Sequence, residues 1–256
     1  MKAIPQMKTM SRYLAACLCF MISGFVYGVE LKIYSGGPFE AAFHELAKDF
    51  ERSSGNKLII EYGTAPQLQK KLAENAPGDL MLTATKLMSQ PENQIKLVDG
   101  TMALLGKGGV GIMLQKDAVV PLMNNPQNFK EAVLKADKLI YNKASTGLYM
   151  DQLFQKIGLA DQLEKKTERF VNGDDTIARV ARGSVNEIGF GAIAEIQLNL
   201  SKGVKYAGPL PDAYQNYTEY SGAVMKSSTH PKETQQLIEF LQSPKVKELF
   251  KRTGID

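Results

Sequence analysis

The chain has 256 residues, of which 44% are hydrophobic and 23% charged, and this length suffices for two lobes with separate cores. Its 31 basic and 27 acidic residues give a formal net charge of +4, a balance that does not favour nucleic acid or an anionic membrane as a partner. Two histidines and two cysteines provide almost no material for a metal centre, a His-based triad or a disulfide framework. We therefore expect a globular monomer without a metal or other cofactor.

The first 28 residues predict a secretory signal peptide. Basic residues up to Arg12 precede an almost wholly apolar run that ends in small residues near Gly28, the expected cleavage site. A membrane anchor would need about twenty apolar residues, more than this run provides. The segment before Cys17 resembles a lipoprotein box but is too short, so lipidation is a minor alternative. Cleavage would place the protein in the periplasm and remove both cysteines, Cys17 and Cys19.

After the leader, strands and helices alternate. A short strand at 31–34 precedes a helix that carries apolar residues four, three and four positions apart and ends at Gly55. A β-rich run at 57–62, a short helix and an apolar strand at 79–85 follow. This β-α-β-α-β order predicts a parallel sheet with right-handed crossovers.

The second half opens with a flexible glycine stretch at 106–111, which leads into a strand at 110–115. An irregular loop at 121–127 follows. Further strands are predicted at 138–141, 188–193 and 217–225, and a Gly-Pro run connects the last two. Helices are predicted after 144–147, at 174–176, and from Pro231 and Pro244 to the C-terminus.

Two lobes follow from this order. We expect lobe 1 to comprise 29–103 and 221–256, and lobe 2 to comprise 104–220. Two crossings are expected to join the lobes, and the division rests on the glycine run at 106–111 and the proline run at 209–211, between which the second β-α series lies.

The same local pattern recurs where strands meet helices: a strand, a turn of small residues, and a helix start. It is found at 35–38, 63–66 and 144–147, with a further helix start at 174–176. A helix N-terminus presents free backbone N–H groups and the positive end of the helix dipole, so these turns favour an anion. None of the turns contains Lys or Arg, which predicts neutral donors around the ligand.

In order along the chain, five segments carry a family resemblance: "LKIYSGGPFEAAFHELAKDFERSSG", "IEYGTAPQLQKKLAENAPGDLMLTA", "STGLYMDQLFQKIG", "GDDTIARVARGSVNEIGFGAIAEI" and "SPKVKELFKRTGI". The set resembles type II periplasmic solute-binding proteins of ABC importers, and among them the molybdate-binding proteins. The resemblance implies an α/β fold of two lobes, each a mainly parallel sheet flanked by helices, with the ligand in the cleft between them.

The resemblance also implies a ligand site and its partners. In molybdate-binding relatives, two serines, backbone groups and a tyrosine surround the oxyanion. In this chain the first serine position falls at or beside Pro38, the second near Thr64 and Ala65, and the tyrosine position on or near Ala192. The expected site residues are Ser35, Gly36, Gly37, Pro38, Thr64, Ala65, Ser145, Thr146, Gly147, Asp175, Thr176 and Ala192. The implied partners are a small anion and the membrane permease of an ABC transporter.

Several alternatives stay open at this stage. The ligand can be a molybdate-like oxyanion, another oxyanion or a small organic acid, and the protein can serve sensing or colonisation rather than import. Asp174 and Asp175 are candidates to cap a helix or to face the ligand. Tyr214, Tyr217 and Tyr220 fit packing better than ligand stacking. Because no nucleophile is paired with a base, we expect binding without turnover, although a carboxylate mechanism through Asp174 or Asp175 is conceivable.

Overall fold

The computed structural model describes residues 28–256. The predicted signal peptide lies outside the described residues except for Gly28. Within the described part of the chain, no helix has the length and apolar character needed to cross a bilayer.

Strands and helices alternate through most of this range, as expected. The strands are β1 (Glu30–Gly36), β2 (Lys57–Gly63), β3 (Leu80–Ala84), β4 (Ala103–Gln115), β5 (Leu139–Asn142), β6 (Thr167–Phe170), β7 (Ile188–Ala192), β8 (Val204–Pro209) and β9 (Tyr217–Val224). The helices are α1 (Glu40–Ser54), α2 (Ala65–Ala73), α3 (Thr85–Met88), α4 (Pro91–Gln94), α5 (Pro126–Lys135), α6 (Ser145–Lys156), α7 (Ala160–Glu164), α8 (Gly173–Ala181), α9 (Ile193–Leu198), α10 (Pro231–Leu241) and α11 (Pro244–Arg252). A short 3₁₀ turn, Gly37–Phe39, joins β1 to α1.

The strands form one continuous sheet in the order β2-β1-β3-β9-β4-β7-β5-β6, with β8 paired to β4. β1 runs parallel to β2 and β3, which confirms the predicted β-α-β-α-β unit. β5 likewise runs parallel to β6 and β7. Between these two parallel groups, β9 and β4 pair antiparallel. The carboxyl ends of both parallel groups are therefore available to form a common crevice.

Each parallel group has its own apolar core. In the first, Leu31 and Ile33 of β1 pack with Phe43 of α1, and the C-terminal helices add Leu237 and Phe250 to this cluster. The first helix buries the face that its spacing predicts, and Gly55 ends it with a left-handed φ of 76°, a conformation that favours glycine.

A separate cluster, in the second half of the chain, joins Ile112 of β4, Phe129 of α5, Tyr141 of β5 and Phe190 of β7. The C-terminal residues thus pack with the first group, and the expected division into lobes stays a prediction. The boundaries at 103/104 and 220/221 stay a prediction, because β4 and β9 run unbroken through both.

The glycine run at 106–111 is not a flexible linker but the middle of β4, and this prediction was wrong. The glycines leave space on the strand for large neighbouring side chains. A Cβ at Gly108 would lie 3.0 Å from the ring of Tyr220, and one at Gly111 would lie 3.0 Å from Ile196 and from Tyr206. The lack of side chains therefore serves close packing rather than mobility.

Other local predictions also need correction. The first two residues of the Gly-Pro run, Gly208 and Pro209, end a strand, β8, which pairs with β4, whereas Leu210 and Pro211 lie beyond it. The loop predicted at 121–127 is shortened because α5 begins at Pro126, after the capping residue Asn125. The helix predicted to begin at 174–176 begins at Gly173, and its capping residue is Asn172 rather than Asp174 or Asp175.

Candidate functional site

A cavity of about 250 Å³ lies where the carboxyl ends of the parallel strands meet. Residues at or just after the ends of β1, β2, β3, β5, β6 and β7 all contribute to its wall, so strands of both groups converge on it. None of the described residues that line it is Lys or Arg. The lining residues include Gly36, Gly37, Pro38, Glu40, Tyr62, Thr64, Ala65, Gln67, Asn142, Ser145, Thr146, Asn172, Gly173, Asp174, Ala192, Glu195 and Tyr220.

Eight of the expected site residues lie in this wall. They come from four separate places in the chain, which the fold brings together at one crevice: Gly36, Gly37, Pro38, Thr64, Ala65, Ser145, Thr146 and Ala192. Their role in ligand binding remains a proposal.

The other four expected residues do not line the cavity, and their contacts explain why. Ser35 is fully buried and its hydroxyl donates to the Gly36 carbonyl. The buried Thr176 hydroxyl donates to the carbonyl of Asn172 at 2.7 Å. Asp175 is exposed, and its N–H donates to the Asn172 side chain.

Gly147, the fourth of these residues, is held against the end of β5. Its N–H donates to the side-chain oxygen of Asn142 at 3.2 Å. A Cβ at this glycine would lie only 1.6 Å from the Asn142 carbonyl oxygen. Close approach of two backbone segments, rather than contact with a ligand, therefore accounts for glycine here.

Two asparagines shape the second wall of the cavity. Asn142 ends β5 and accepts from the N–H groups of Ala144 and Gly147, while Asn172 accepts from the N–H of Asp175 at 2.8 Å. These bonds satisfy only part of each helix start. The N–H groups that remain without a protein partner among the described residues are those of Ser145 and Thr146 in α6 and of Gly173 and Asp174 in α8.

The first wall contributes a different donor pattern. At the start of α2, the backbone N–H and the hydroxyl of Thr64 both donate to the side-chain oxygen of Gln67, at 2.7 and 3.0 Å. Tyr62 and Tyr220 also line the cavity. Burial raises the pKa of both tyrosines, with smaller contributions from Glu40 for Tyr62 and from Glu195 for Tyr220. Both phenols therefore stay neutral and can donate hydrogen bonds to an anion.

Three acidic residues also line the cavity; the sequence named Asp174 as a candidate to face the ligand, but it missed Glu40 and Glu195. Glu40 begins α1, Asp174 lies in the first turn of α8, and Glu195 lies in α9. Lys202 pairs with Asp174 at 3.6 Å. No group of three His, Cys, Asp or Glu side chains that could hold a metal ion was found among residues 28–256.

Glu195 has the most unusual surroundings of the three. A Cβ at Gly37 would lie 2.6 Å from one of its carboxyl oxygens, and a Cβ at Gly173 would lie 2.6 Å from the other. Burial, together with the negative charges of Asp174 and Glu40, raises the pKa of Glu195 to about 7. The carboxyl group therefore exchanges its proton near neutral pH.

One sequence signal could have pointed to this residue. Glu195 is the single charged residue between Ile188 and Ile196, in the segment "IGFGAIAEI". Glu195 lies three residues beyond the end of a buried strand, and residues that follow the carboxyl ends of parallel strands lie at the crevice.

Comparisons with known proteins agree with this architecture. The family model described as bacterial extracellular solute-binding protein matches residues 31–256. Aconitate isomerase of a Pseudomonas species is 27% identical over 231 residues, which cover 88% of this chain and 87% of that protein. Molybdate-binding protein ModA of Azotobacter vinelandii is 22% identical over 255 residues, covering 96% and 97%.

Solved structures show the same fold. The periplasmic molybdate-binding protein of Azotobacter vinelandii superimposes with a TM-score of 0.73 at 20% sequence identity, covering 88% of this chain and 98% of that chain.

Proposed function

Because the chain belongs to the family of bacterial extracellular solute-binding proteins, we propose that it captures a small anion in the cavity and delivers it to the permease of an ABC importer. The observation that carries this proposal is the pair of helix starts, α6 and α8, whose first residues line one cavity and whose first N–H groups have no partner among residues 28–256. A hydrogen bond to a charged group contributes about 1.5–3 kcal/mol, and micromolar affinity needs about 8 kcal/mol. Four such donors and two phenols suffice without a cationic side chain.

The predicted lobes give this site its two walls. We propose that the first parallel group with the C-terminal helices forms lobe 1, that the second group forms lobe 2, and that the ligand lies between them. The predicted signal peptide would place the protein in the periplasm, where such a carrier meets its permease.

A small organic acid fits the cavity better than a tetrahedral oxyanion. The cavity of about 250 Å³ can hold a ligand larger than a tetrahedral oxyanion, which has five heavy atoms. Neutral carboxyl and phenol groups in the wall can pair with carboxylate or hydroxyl oxygens of the ligand. The relative named aconitate isomerase points to the same ligand class.

A ligand screen tests the proposal. Protein without residues 1–28 should show a raised melting temperature with cis-aconitate, trans-aconitate or citrate, and a smaller rise or none with molybdate, tungstate, sulfate and phosphate. A response to molybdate or tungstate alone would favour the tetrahedral oxyanion instead. No response to any of these anions at millimolar concentration would count against an anion carrier.

A second candidate function, isomerisation of a bound unsaturated acid, is favoured by Glu195. A carboxyl group with a pKa of about 7 is suited to general acid–base chemistry at neutral pH. The Glu195 carboxylate would accept a proton from one carbon of the ligand while the double bond shifts, and would return a proton to another carbon. No oxidant or reductant is needed.

Proton NMR of cis- and trans-aconitate in deuterium oxide separates the two functions. An isomerase would interconvert the isomers and incorporate deuterium, and Glu195→Gln would abolish both. Binding without exchange would leave the carrier function alone.

A further inference from the structure

Helix α9 carries Glu195 between the two parallel groups of strands. Its neighbour Ala194 packs in the core cluster of the first parallel group, whereas Ile196 packs with Met113 and Ile140 in a cluster of the second. The residue between them therefore lies at the junction of the two groups. Its side chain enters the cavity.

The carboxyl group of Glu195 lies between two turns from opposite walls. One oxygen lies beside Gly37, which follows β1, and the other lies beside Gly173, the first residue of α8. No hydrogen-bond partner for this carboxyl group is found in the described part of the chain. Two glycines thus leave a space that the carboxyl group fills without being bound.

The charged groups around Glu195 oppose its ionisation. Glu40 of α1 and Asp174 of α8 are both negative, and their charges act on Glu195 together with its burial. The phenol of Tyr220 in β9 is neutral at physiological pH. Lys202 pairs with Asp174 at 3.6 Å.

We propose that anion binding in this cavity is coupled to proton uptake by Glu195, which faces the ligand as a neutral hydrogen-bond donor. This inference rests on the proposed function. An anion placed against α6 and α8 adds negative charge near Glu195, so the carboxyl group holds its proton more strongly in the complex. By linkage, the protonated protein binds the anion more tightly.

The linkage has a defined sign. Below pH 7, Glu195 is already protonated in the free protein and affinity does not depend on this group. Above pH 7, each complex must take up a proton, so affinity falls by up to tenfold for each pH unit.

Calorimetry tests the coupling with trans-aconitate and molybdate as probes between pH 6 and pH 9. In two buffers of different ionisation enthalpy, the parent protein should take up close to one proton at pH 8. Glu195→Gln, which keeps a neutral donor, should bind at pH 8 at least as tightly as the parent, take up no proton, and lose the pH dependence. Glu248→Gln is the control, because it removes a carboxyl group on the exposed face of α11 and should keep the coupling. Equal pH dependence in the parent and in Glu195→Gln would overturn the proposal.

A ligand-free measurement keeps the inference separate from the proposed function. Carbon-detected NMR of glutamate-labelled protein, with Glu195→Gln to assign the signal, should show Glu195 titrating near pH 7. Titration below pH 5 would overturn the inference whether or not a probe binds. Failure of both probes with a titration near pH 7 would instead count against the proposed ligands.

Discussion

Ser145 is the first residue of α6, and its backbone N–H is one of the donors that face the cavity. Proline is tolerated at this position of a helix because its missing N–H has no partner within the helix. The preceding residue, Ala144, has extended backbone angles of −93° and −163°, which suit a residue before proline. A single donor can therefore be removed without breaking the helix.

We expect Ser145→Pro to weaken anion binding by about 10- to 100-fold, the loss of one hydrogen bond to a charged group. Isothermal titration with the anion that gives the largest thermal shift measures this. Ser145→Ala keeps the N–H and should bind within about threefold of the parent. If both variants bind as the parent does, the N–H groups of α6 are not donors to the ligand.

Two neighbouring glycines provide a second test at the first wall. A Cβ at Gly37 would lie 2.6 Å from Glu195, whereas one at Gly36 would have its nearest neighbours at 3.7 Å, an ordinary contact. Gly37→Ala should displace the Glu195 side chain and change anion affinity by at least about tenfold, since roughly one hydrogen bond to the ligand is affected. Gly36→Ala should have little effect. Titration calorimetry and melting temperatures of both variants check this, and equal behaviour of the two would contradict the assigned contact.

For single residues, the sequence predicts which segments form the cavity wall better than it predicts which chemical groups the cavity contains. Turns such as Gly36-Gly37-Pro38 are recognisable because local conformation places them at strand ends. Glu195 was missed because its significance depends on Gly37 and Gly173, which are 158 and 22 residues away in the chain. Proximity of that kind arises from the sheet order and leaves no local pattern.

At the scale of elements, the start of α6 depends on its contact with the end of β5. Gly147→Ala would place a Cβ 1.6 Å from the Asn142 carbonyl oxygen, so the helix must move away from the strand. We expect a loss of at least about 2 kcal/mol, or about 4–8 °C in melting temperature for a chain of this size. Thr146→Ala, one residue earlier, should melt within about 2 °C of the parent. A thermal melt followed by circular dichroism measures both, and an unchanged Gly147→Ala would refute this packing.

Helices and strands with a clear apolar periodicity are predicted well from the sequence, whereas those that depend on contacts with distant segments are not. The face of α1 with Phe43, Leu46 and Phe50 is buried as expected. By contrast, β8 and the glycine-rich part of β4 lack an apolar alternation. The glycines of β4 pair mainly with β9 and are covered by large side chains from α9 and β9, while β8 pairs with β4 from Gly111 onward. The spacing of residues in the sequence does not indicate which distant side chains will pack against these strands.

For the whole molecule, Glu195 makes folding stability depend on pH. Its pKa is raised from 4.5 to about 7 in the folded protein, so the folded state binds the proton more strongly than the unfolded state. This contribution is fully present below about pH 4.5 and is lost as pH rises through 7. The loss amounts to about 3 kcal/mol at most.

The melting temperature of Glu195→Gln minus that of the parent should therefore be several degrees larger at pH 8 than at pH 5. Differential scanning calorimetry of ligand-free protein between pH 5 and pH 9 measures the difference. Glu248→Gln, on the exposed face of α11, should run parallel to the parent. Parallel curves for the parent and Glu195→Gln would show that the carboxyl group has an ordinary affinity for protons in the folded state.

The overall architecture was predictable because two β-α-β units, each with its own core, follow from the order of strands and helices. The segments that connect the two halves could not be predicted, because they depend on the pairing of β4 with β9, two strands about a hundred residues apart.

The contact of one carboxyl group with two glycines has an evolutionary consequence. Gly37, Gly173 and Glu195 occupy three separate segments, yet each of the glycines is required only while a long side chain fills the space between them. The three positions should therefore covary among homologues: a chain with a side chain at either glycine position should carry a short residue in place of Glu195. Homologues that keep all three would share proton-coupled binding, and those that have lost the glutamate would bind their anions independently of pH.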